Sequence, residues 1–376
     1  MGGIALCDIL ERGRNNFDLV RLVAAASVIV SHSFLIAGGP LSAEPLSGVS
    51  SFTLGQHAVS VFFILSGLLV AASLERNPEP VAFLGGRVLR VFPGLVACVL
   101  VTDMVVGPMV SRLDPLAYFT SPQTWRYLFV TLSLFTGYGT LPGVFEQLPA
   151  AGQVNVSLWT LKYEMLCYLL LALLAALGLW RRPRLMWLGF AVLVGMQLFR
   201  LTKVSVPEFG VVDQVLRLAI CFFIGAGAYR LRHSLRLSVP GVLVAILAFL
   251  AAWRTTLEPL ASYFALGYLV LCFAALPLGP LRRLCARGDL SYGLYIYGWP
   301  VGQTLLLCAP SLGPVELAAA SILLAAPLAA LSWALVEKPA LALKGRLPAW
   351  AAGRRRGVPS VLPLTEERNG NYCPRP

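Results

Sequence analysis

The sequence predicts an all-α polytopic integral membrane protein of about ten transmembrane helices, with both termini in the cytosol. Three observations carry that expectation. Hydrophobic residues make up 57% of the 376 and charged residues only 13%, about half the roughly 25% usual in soluble proteins. The apolar residues fall in runs of about 20, the length that crosses a bilayer as a helix. Lysine and arginine collect in alternate loops between those runs.

In chain order the runs are 19–37, 57–74, 85–106, 157–179, 185–200, 212–230, 238–254, 260–278, 290–309 and 315–336. A weaker stretch, 126–137, is amphipathic and interrupted by Gly137 and Gly139, and reads as a re-entrant or interfacial piece. The first run follows a charged start, but it is too long for the core of a cleaved signal peptide, so it reads as a retained helix. With a cytosolic N-terminus, one side carries Arg12, Arg14, Arg76, Arg181, Arg182, Arg184, Arg230, Arg232, Arg236, Arg282, Arg283, Arg287 and the cluster Arg354 to Arg356. The other side holds only Arg112, Arg126, Arg200, Lys203 and Arg254. This division of charge sets the orientation. The domain reading is a short cytosolic segment over 1–18, a membrane domain over 19–340 and a basic, mobile cytosolic tail over 341–376. Neither a tandem repeat nor an appended soluble catalytic domain is expected.

The net charge of +12 invites a nucleic-acid partner, but the positive residues form no single basic stripe with interleaved aromatics. They lie in separated juxtamembrane clusters, so no nucleic acid is expected. Of the eight cysteines, Cys98, Cys167, Cys221 and Cys272 lie inside apolar runs, where cysteine acts as a small hydrophobe. Cys7, Cys285 and Cys373 fall in segments assigned to the cytosol. No CxxC or Cys/His spacing of a metal site occurs, so no metal is expected.

Polar side chains inside bilayer spans are costly and are functional candidates by default. Arg21 and His32 are eleven residues apart on the first helix, three turns plus about 20°, so they share one face with about 16 Å between them. Asp18, one turn earlier, can pair with Arg21. Arg21 alone also fits a topology-setting charge at a helix end. His57 opens the second helix, where capping and chemistry are both open readings. In the same helix Ser66 and Gly67 permit close approach by a neighbour or a ligand. Arg87 and Arg90, at i and i+3, repel each other unless an anion sits between them; the alternative is a positive-inside signal. Ser157, Glu164 and Tyr168 share a face of the fourth helix. Glu164 needs a partner from another helix, for which Arg21 and His32 are the candidates. Tyr292, Tyr295 and Trp299 form an aromatic stripe that suits packing or stacking against a sugar.

Taken in order, these motifs resemble the membrane-bound acyltransferase family 3, whose members O-acylate cell-envelope and exported glycans. The resemblance rests on Arg21-x10-His32, Gly55-x3-Val59-x2-Phe62-Phe63-x2-Ser66-Gly67, and Arg87-x2-Arg90 followed by Phe92-Pro93. It continues through Ser157-Leu158-Trp159-Thr160-Leu161 with Glu164, Ser291-Tyr292-Gly293-x-Tyr295 and Glu337-x-Pro339. Leu141 to Phe145 in the long outer loop fits one branch. Together they cover Phe17 to Ala340.

The resemblance implies a cytosolic acyl-CoA co-substrate, usually acetyl-CoA, and a glycan or lipid-linked glycan acceptor on the outer side of a bacterial cytoplasmic membrane. It implies that His32 is catalytic, with Arg21 in the same motif, that Glu164 matches an acidic family position, and that Arg87 and Arg90 are the family's other important arginine pair. Their charge and cytosolic placement suit Arg87 and Arg90 to the phosphates of CoA. His57, Ser157, Trp159 and Tyr295 are the candidate substrate-binding residues. Three positions depart from the family pattern: Gly298 stands where a histidine is common, Ser60 where an aspartate is common, and Asn155-Val156 replaces Asn-Gly.

The chemistry agrees with the resemblance. Acyl transfer to an alcohol needs a base near neutral pH, which imidazole supplies, and a carboxylate such as Glu164 can hold its tautomer. A glycolipid or small-solute transporter without acyl chemistry is the alternative reading.

Overall fold

The computed structural model describes residues 3–10, 14–39, 43–76, 78–134, 139–203, 210–285 and 288–346. Arg12, Gly137, Arg287, the Arg354 to Arg356 cluster, Cys373 and the tail beyond 346 lie outside the described residues. Among the described residues the regular structure is helical, apart from one short antiparallel ribbon. In that ribbon β1 (Ile4–Ala5) pairs with β2 (Arg236–Leu237).

Among the described residues, eleven helices of more than ten residues build the bundle. They are α1 (Phe17–Ile36), α2 (Leu54–Arg76), α3 (Pro80–Val101), α4 (Pro122–Leu132), α5 (Leu161–Ala176), α6 (Pro183–Lys203), α7 (Val211–Arg230), α8 (Val239–Ala252), α9 (Glu258–Ala274), α10 (Ser291–Cys308) and α11 (Pro314–Ser332). Local chemistry sets several starts. Thr53 and Gln56 form a reciprocal capping box at α2, with Gln56 N–H on Thr53 Oγ1 and Thr53 N–H on Gln56 Oε1. Glu79 caps α3 ahead of Pro80, and Ser238 caps α8 ahead of Pro240. Two helices continue through π-helical turns, α3 over Thr102–Val106 and α11 over Trp333–Glu337.

Among the described residues, seven helices are long and apolar enough to cross a membrane. They correspond to α1, α2, α3, α5, α6, α7 and α11. Where the sequence predicts about ten transmembrane helices, the described residues hold seven helices of spanning length plus shorter apolar ones. At 14 residues, α8 extends only about 21 Å, short of a hydrocarbon core of about 30 Å. α10 is interrupted by polar and aromatic side chains, and every residue from Ser291 to Pro300 is buried. Of the amphipathic stretch at 126–137, expected as a re-entrant or interfacial piece, residues 126–132 belong to α4, which packs on the outgoing end of α3, and 135–137 lie outside the described residues.

The centre of the bundle is the α2–α7 pair. A Cβ on Gly67 would lie 1.8 Å from the Phe222 carbonyl oxygen, and one on Gly225 would lie 1.8 Å from the Ile64 carbonyl oxygen. The two glycines therefore let these backbones touch, as small residues do where lipid supplies no hydrophobic drive. α1 packs beside this pair, α10 packs on the other side of α1 and against α11, and α6 and α8 lie at the periphery with large apolar side chains outward.

Candidate active site

The Arg21 end of the bundle concentrates charge. Arg21 Nη1 donates to Asp289 Oδ2 at 2.9 Å, and Arg90 forms a short ion pair with the same oxygen. Asp289 precedes α10 and also accepts from the Ser291 hydroxyl. Burial raises its carboxyl, but Arg21, Arg90 and Ser291 outweigh that and hold it well below the usual carboxylate range. Arg90 Nη1 is also 3.8 Å from Glu337, which the π-helical turn of α11 turns inward. The expected anion beside an arginine of the 87/90 pair is therefore supplied by the protein itself, at Arg90.

Arg87 is left differently placed. It donates weakly to Ser73 Oγ at 3.3 Å and lies over the rings of Phe83 and Tyr168. Its Nε has no partner among the described residues. Lys344 folds back over Gly86, close enough that a Cβ there would lie 2.9 Å from Lys344 Cε. Burial, then Arg87 and Arg76, push the Lys344 ammonium down, as expected where cations gather without an anion. Spacing gave no sign of Asp289 or Lys344, because both are brought to the site only by tertiary packing.

Arg21, Arg87, Arg90 and Lys344 line a cavity of about 970 Å³ whose wall continues through Glu164, Tyr168, Tyr292, Thr160 and Tyr295. Glu164 enters this cavity but is not paired with Arg21 or His32 as expected. It accepts a short hydrogen bond from Tyr168, one turn along its own helix. Because that bond uses the phenolic proton, Ser66 Oγ must donate to Tyr168 at 3.0 Å. The i, i+4 geometry within α5 makes this local pair the cheaper solution.

A hydrogen-bonded chain leaves the cavity toward His32. Tyr295 donates to the Ser157 carbonyl at 2.7 Å, so Thr160 Oγ1 donates to Tyr295 at 2.6 Å. The Ser157 hydroxyl then lies 3.4 Å from His32 Nδ1. Trp299 meets the imidazole edge-on at 4.9 Å, and its indole N–H is held by the Gln153 carbonyl. The aromatic stripe of α10 is thus divided: Tyr292 donates to Val91, Tyr295 serves the Ser157 turn, and Trp299 serves His32.

His57 and Trp159 are not part of this chain. His57 Nε2 is 3.0 Å from Ser50 Oγ and packs on Phe52, while Trp159 packs edge-on against Tyr163. The backbone at Gly298 faces Ile29, whose Cγ1 would be 2.6 Å from an added Cβ. This position holds packing rather than chemistry.

A family model described as an acyltransferase domain matches residues 14–336. The chain is 30% identical over 338 residues to an O-acetyl transferase of Shigella phage Sf6, covering 86% of this chain and 95% of that protein. It is also 30% identical over 378 residues to Nodulation protein 10 of Rhizobium leguminosarum bv. viciae, covering 89% of this chain and 95% of that one. A third relative is the exopolysaccharide production protein ExoZ of Rhizobium meliloti (strain 1021). It is 29% identical over 244 residues, covering 64% of this chain and 68% of that protein. No solved structure matches the chain.

Proposed function

We propose that this chain, which belongs to the acyltransferase family matched above, moves an acetyl group from acetyl-CoA to a hydroxyl of a cell-envelope or exported glycan. The donor enters at the Arg21 end, on the cytosolic side of a bacterial cytoplasmic membrane. The acceptor arrives at the His32 end, on the outer side. This orientation follows the arginine distribution, with ten crossings once the shorter helices are included and both termini in the cytosol. The match over residues 14–336 accords with a membrane domain flanked by a short leading segment and a basic tail.

The observation that carries the reading is the cation-lined cavity joined to His32 through Tyr295 and Ser157. Asp289 neutralises part of the charge of Arg21 and Arg90. Arg87 and Lys344 are thereby left to meet the phosphates of the donor, and Arg21 and Arg90 shape the passage. The pantetheine arm then runs past Tyr292 toward Thr160 and Tyr295.

In the transfer step, Ser157 accepts the Nδ1–H of His32 and leaves the lone pair on Nε2. That nitrogen removes the sugar hydroxyl proton as the oxygen attacks the thioester carbonyl. The carbon–sulfur bond breaks, the proton passes to the departing thiolate, and the products are the sugar acetate and free CoA. Glu164, tied to Tyr168, holds the cavity wall rather than the imidazole.

Membranes carrying wild type or His32→Ala, given radiolabelled acetyl-CoA and an envelope-glycan extract, test this reading. Base-labile label in glycan is expected with wild type alone. Equal labelling by the variant removes His32 from the mechanism.

A further inference from the structure

A second cavity, of about 1110 Å³, lies outside the site just described. It opens between the starts of α2, α7 and α9 and the end of α6, at the His32 end of the bundle. Gln56 in its wall follows Gly55, where an added Cβ would lie 2.7 Å from the hydroxyl of Ser31, the residue before His32. The cavity and the imidazole therefore share one α1–α2 contact.

Arg217 of α7 lines this cavity and is only 3% exposed. A guanidinium withdrawn from water is costly to leave without a counter-ion. Among the described residues no carboxylate pairs with it. Nη2 donates to Gln214 Oε1 at 2.8 Å, Nη1 reaches the Gln56 carbonyl only at 3.5 Å, and Nε has no partner among those residues.

The acid in the same wall, Asp213, is taken up by Arg200, with both oxygens bound at 2.8 Å. Glu258, nearby, is turned to the backbone N–H groups of Ser51 and Arg254. Among the described residues the lining therefore carries one net positive charge. Beside it Gln197 is buried with its Oε1 unpartnered among the described residues, an acceptor for a hydroxyl. Phe52 and Tyr263, 5.5 Å apart and tilted by 30°, form an aromatic wall, and Phe52 also lies under Arg217.

One buried cation, one free acceptor and an aromatic wall match a sugar ring bearing a single carboxylate. We propose that this cavity binds the carboxylate of an acidic sugar in the acceptor glycan, with Arg217 as its counter-ion. The proposal rests on the reading that the acceptor arrives at the His32 end. A planar guanidinium fits a carboxylate in a two-point contact, and its single charge balances one negative charge. A dianionic phosphate would leave a charge uncompensated beside the Gln197 oxygen.

The test is equilibrium binding of radiolabelled glucuronate, glucose and glucose 1-phosphate to the purified full-length protein, which needs no acyl transfer. Wild type is expected to bind glucuronate about tenfold or more tightly than glucose, as a charge-assisted hydrogen bond supplies. Arg217→Gln is expected to abolish the preference. Gln214→Glu keeps the arginine but gives it an internal carboxylate, so it is expected to raise the unfolding temperature and remove the preference as well. Equal binding of glucuronate and glucose by wild type overturns the proposal, and so does a preference that survives both substitutions. Tighter binding of glucose 1-phosphate than of glucuronate also overturns it, assigning the anion to a phosphate. Glucuronate binding without acyl transfer would instead strike the transferase reading and leave this site standing.

Discussion

The hydroxyl of Ser157 lies 3.4 Å from Nδ1 of His32, and the carbonyl of the same serine accepts from Tyr295 in the wall of the charged cavity. One residue of a 3₁₀ turn thus ties the imidazole to the cavity. Ser157→Ala removes the side-chain contact and leaves the backbone contact. Transfer is expected to fall about tenfold, the worth of one hydrogen bond, with the KM for acetyl-CoA unchanged. Ser157→Thr is expected to restore most of the rate. An unchanged kcat in Ser157→Ala would separate this serine from the base.

Removal of the base itself should cost more. His32→Ala is expected to lower kcat by about 10² to 10⁴, the range of general-base catalysis, while acetyl-CoA still binds. Titration of binding with labelled CoA, alongside transfer, checks both halves.

Arg87 and Lys344 are expected to act through the donor. Arg87→Gln and Lys344→Gln should each raise the KM for acetyl-CoA about tenfold, as loss of a charged hydrogen bond does, and weaken its dependence on salt. Inhibition by CoA against pantetheine supplies the control. A variant that weakens both inhibitors equally would not be reading phosphate.

Asp289 makes a prediction about acid. Its carboxyl is held below the ordinary range by Arg21 and Arg90 against the opposing effect of burial. The stabilisation is therefore complete above the unfolded carboxylate value of about 3.9 and is lost as pH falls through the lower folded value. Asp289→Asn is expected to be less stable near neutral pH by about 3 kcal/mol, since it takes the carboxylate from Arg21 and leaves Arg90 only the longer contact with Glu337. The gap from wild type should narrow below about pH 4. Thermal unfolding in detergent across that range measures it, and a gap independent of pH would refute the assignment.

Gly67 and Gly225 are expected to tolerate no side chain. Gly67→Ala drives a methyl into the Phe222 carbonyl and must separate α2 from α7, at a cost of about 1–3 kcal/mol for overpacking. Gly189→Ala, at a position with open space around it, is the matched control. Equal unfolding temperatures for the two variants would contradict the close crossing.

Much of this was legible in the chain itself. The membrane class follows from hydrophobic excess, because apolar surface on this scale must face lipid. Arg21 and His32 on one helix face, and Glu164 and Tyr168 on another, follow from helical periodicity, a local property; Ser157 leaves that face because Val156–Thr160 is a 3₁₀ turn, which carries its hydroxyl to His32 instead. Ser66 and Gly67 marked a close approach, though not which helix would make it.

Only the tertiary structure decided the partners. Asp289 meets Arg21 and Arg90 from 268 and 199 residues away, and no spacing rule reaches that far. Glu164 takes the local tyrosine because that bond needs no other helix, and His32 takes Ser157 because the 3₁₀ turn lifts that hydroxyl toward it. Helix length and face are written in short-range backbone geometry. Which buried charge meets which depends on how the helices cross, where the cost of an unpaired ion in a dry interior selects among arrangements.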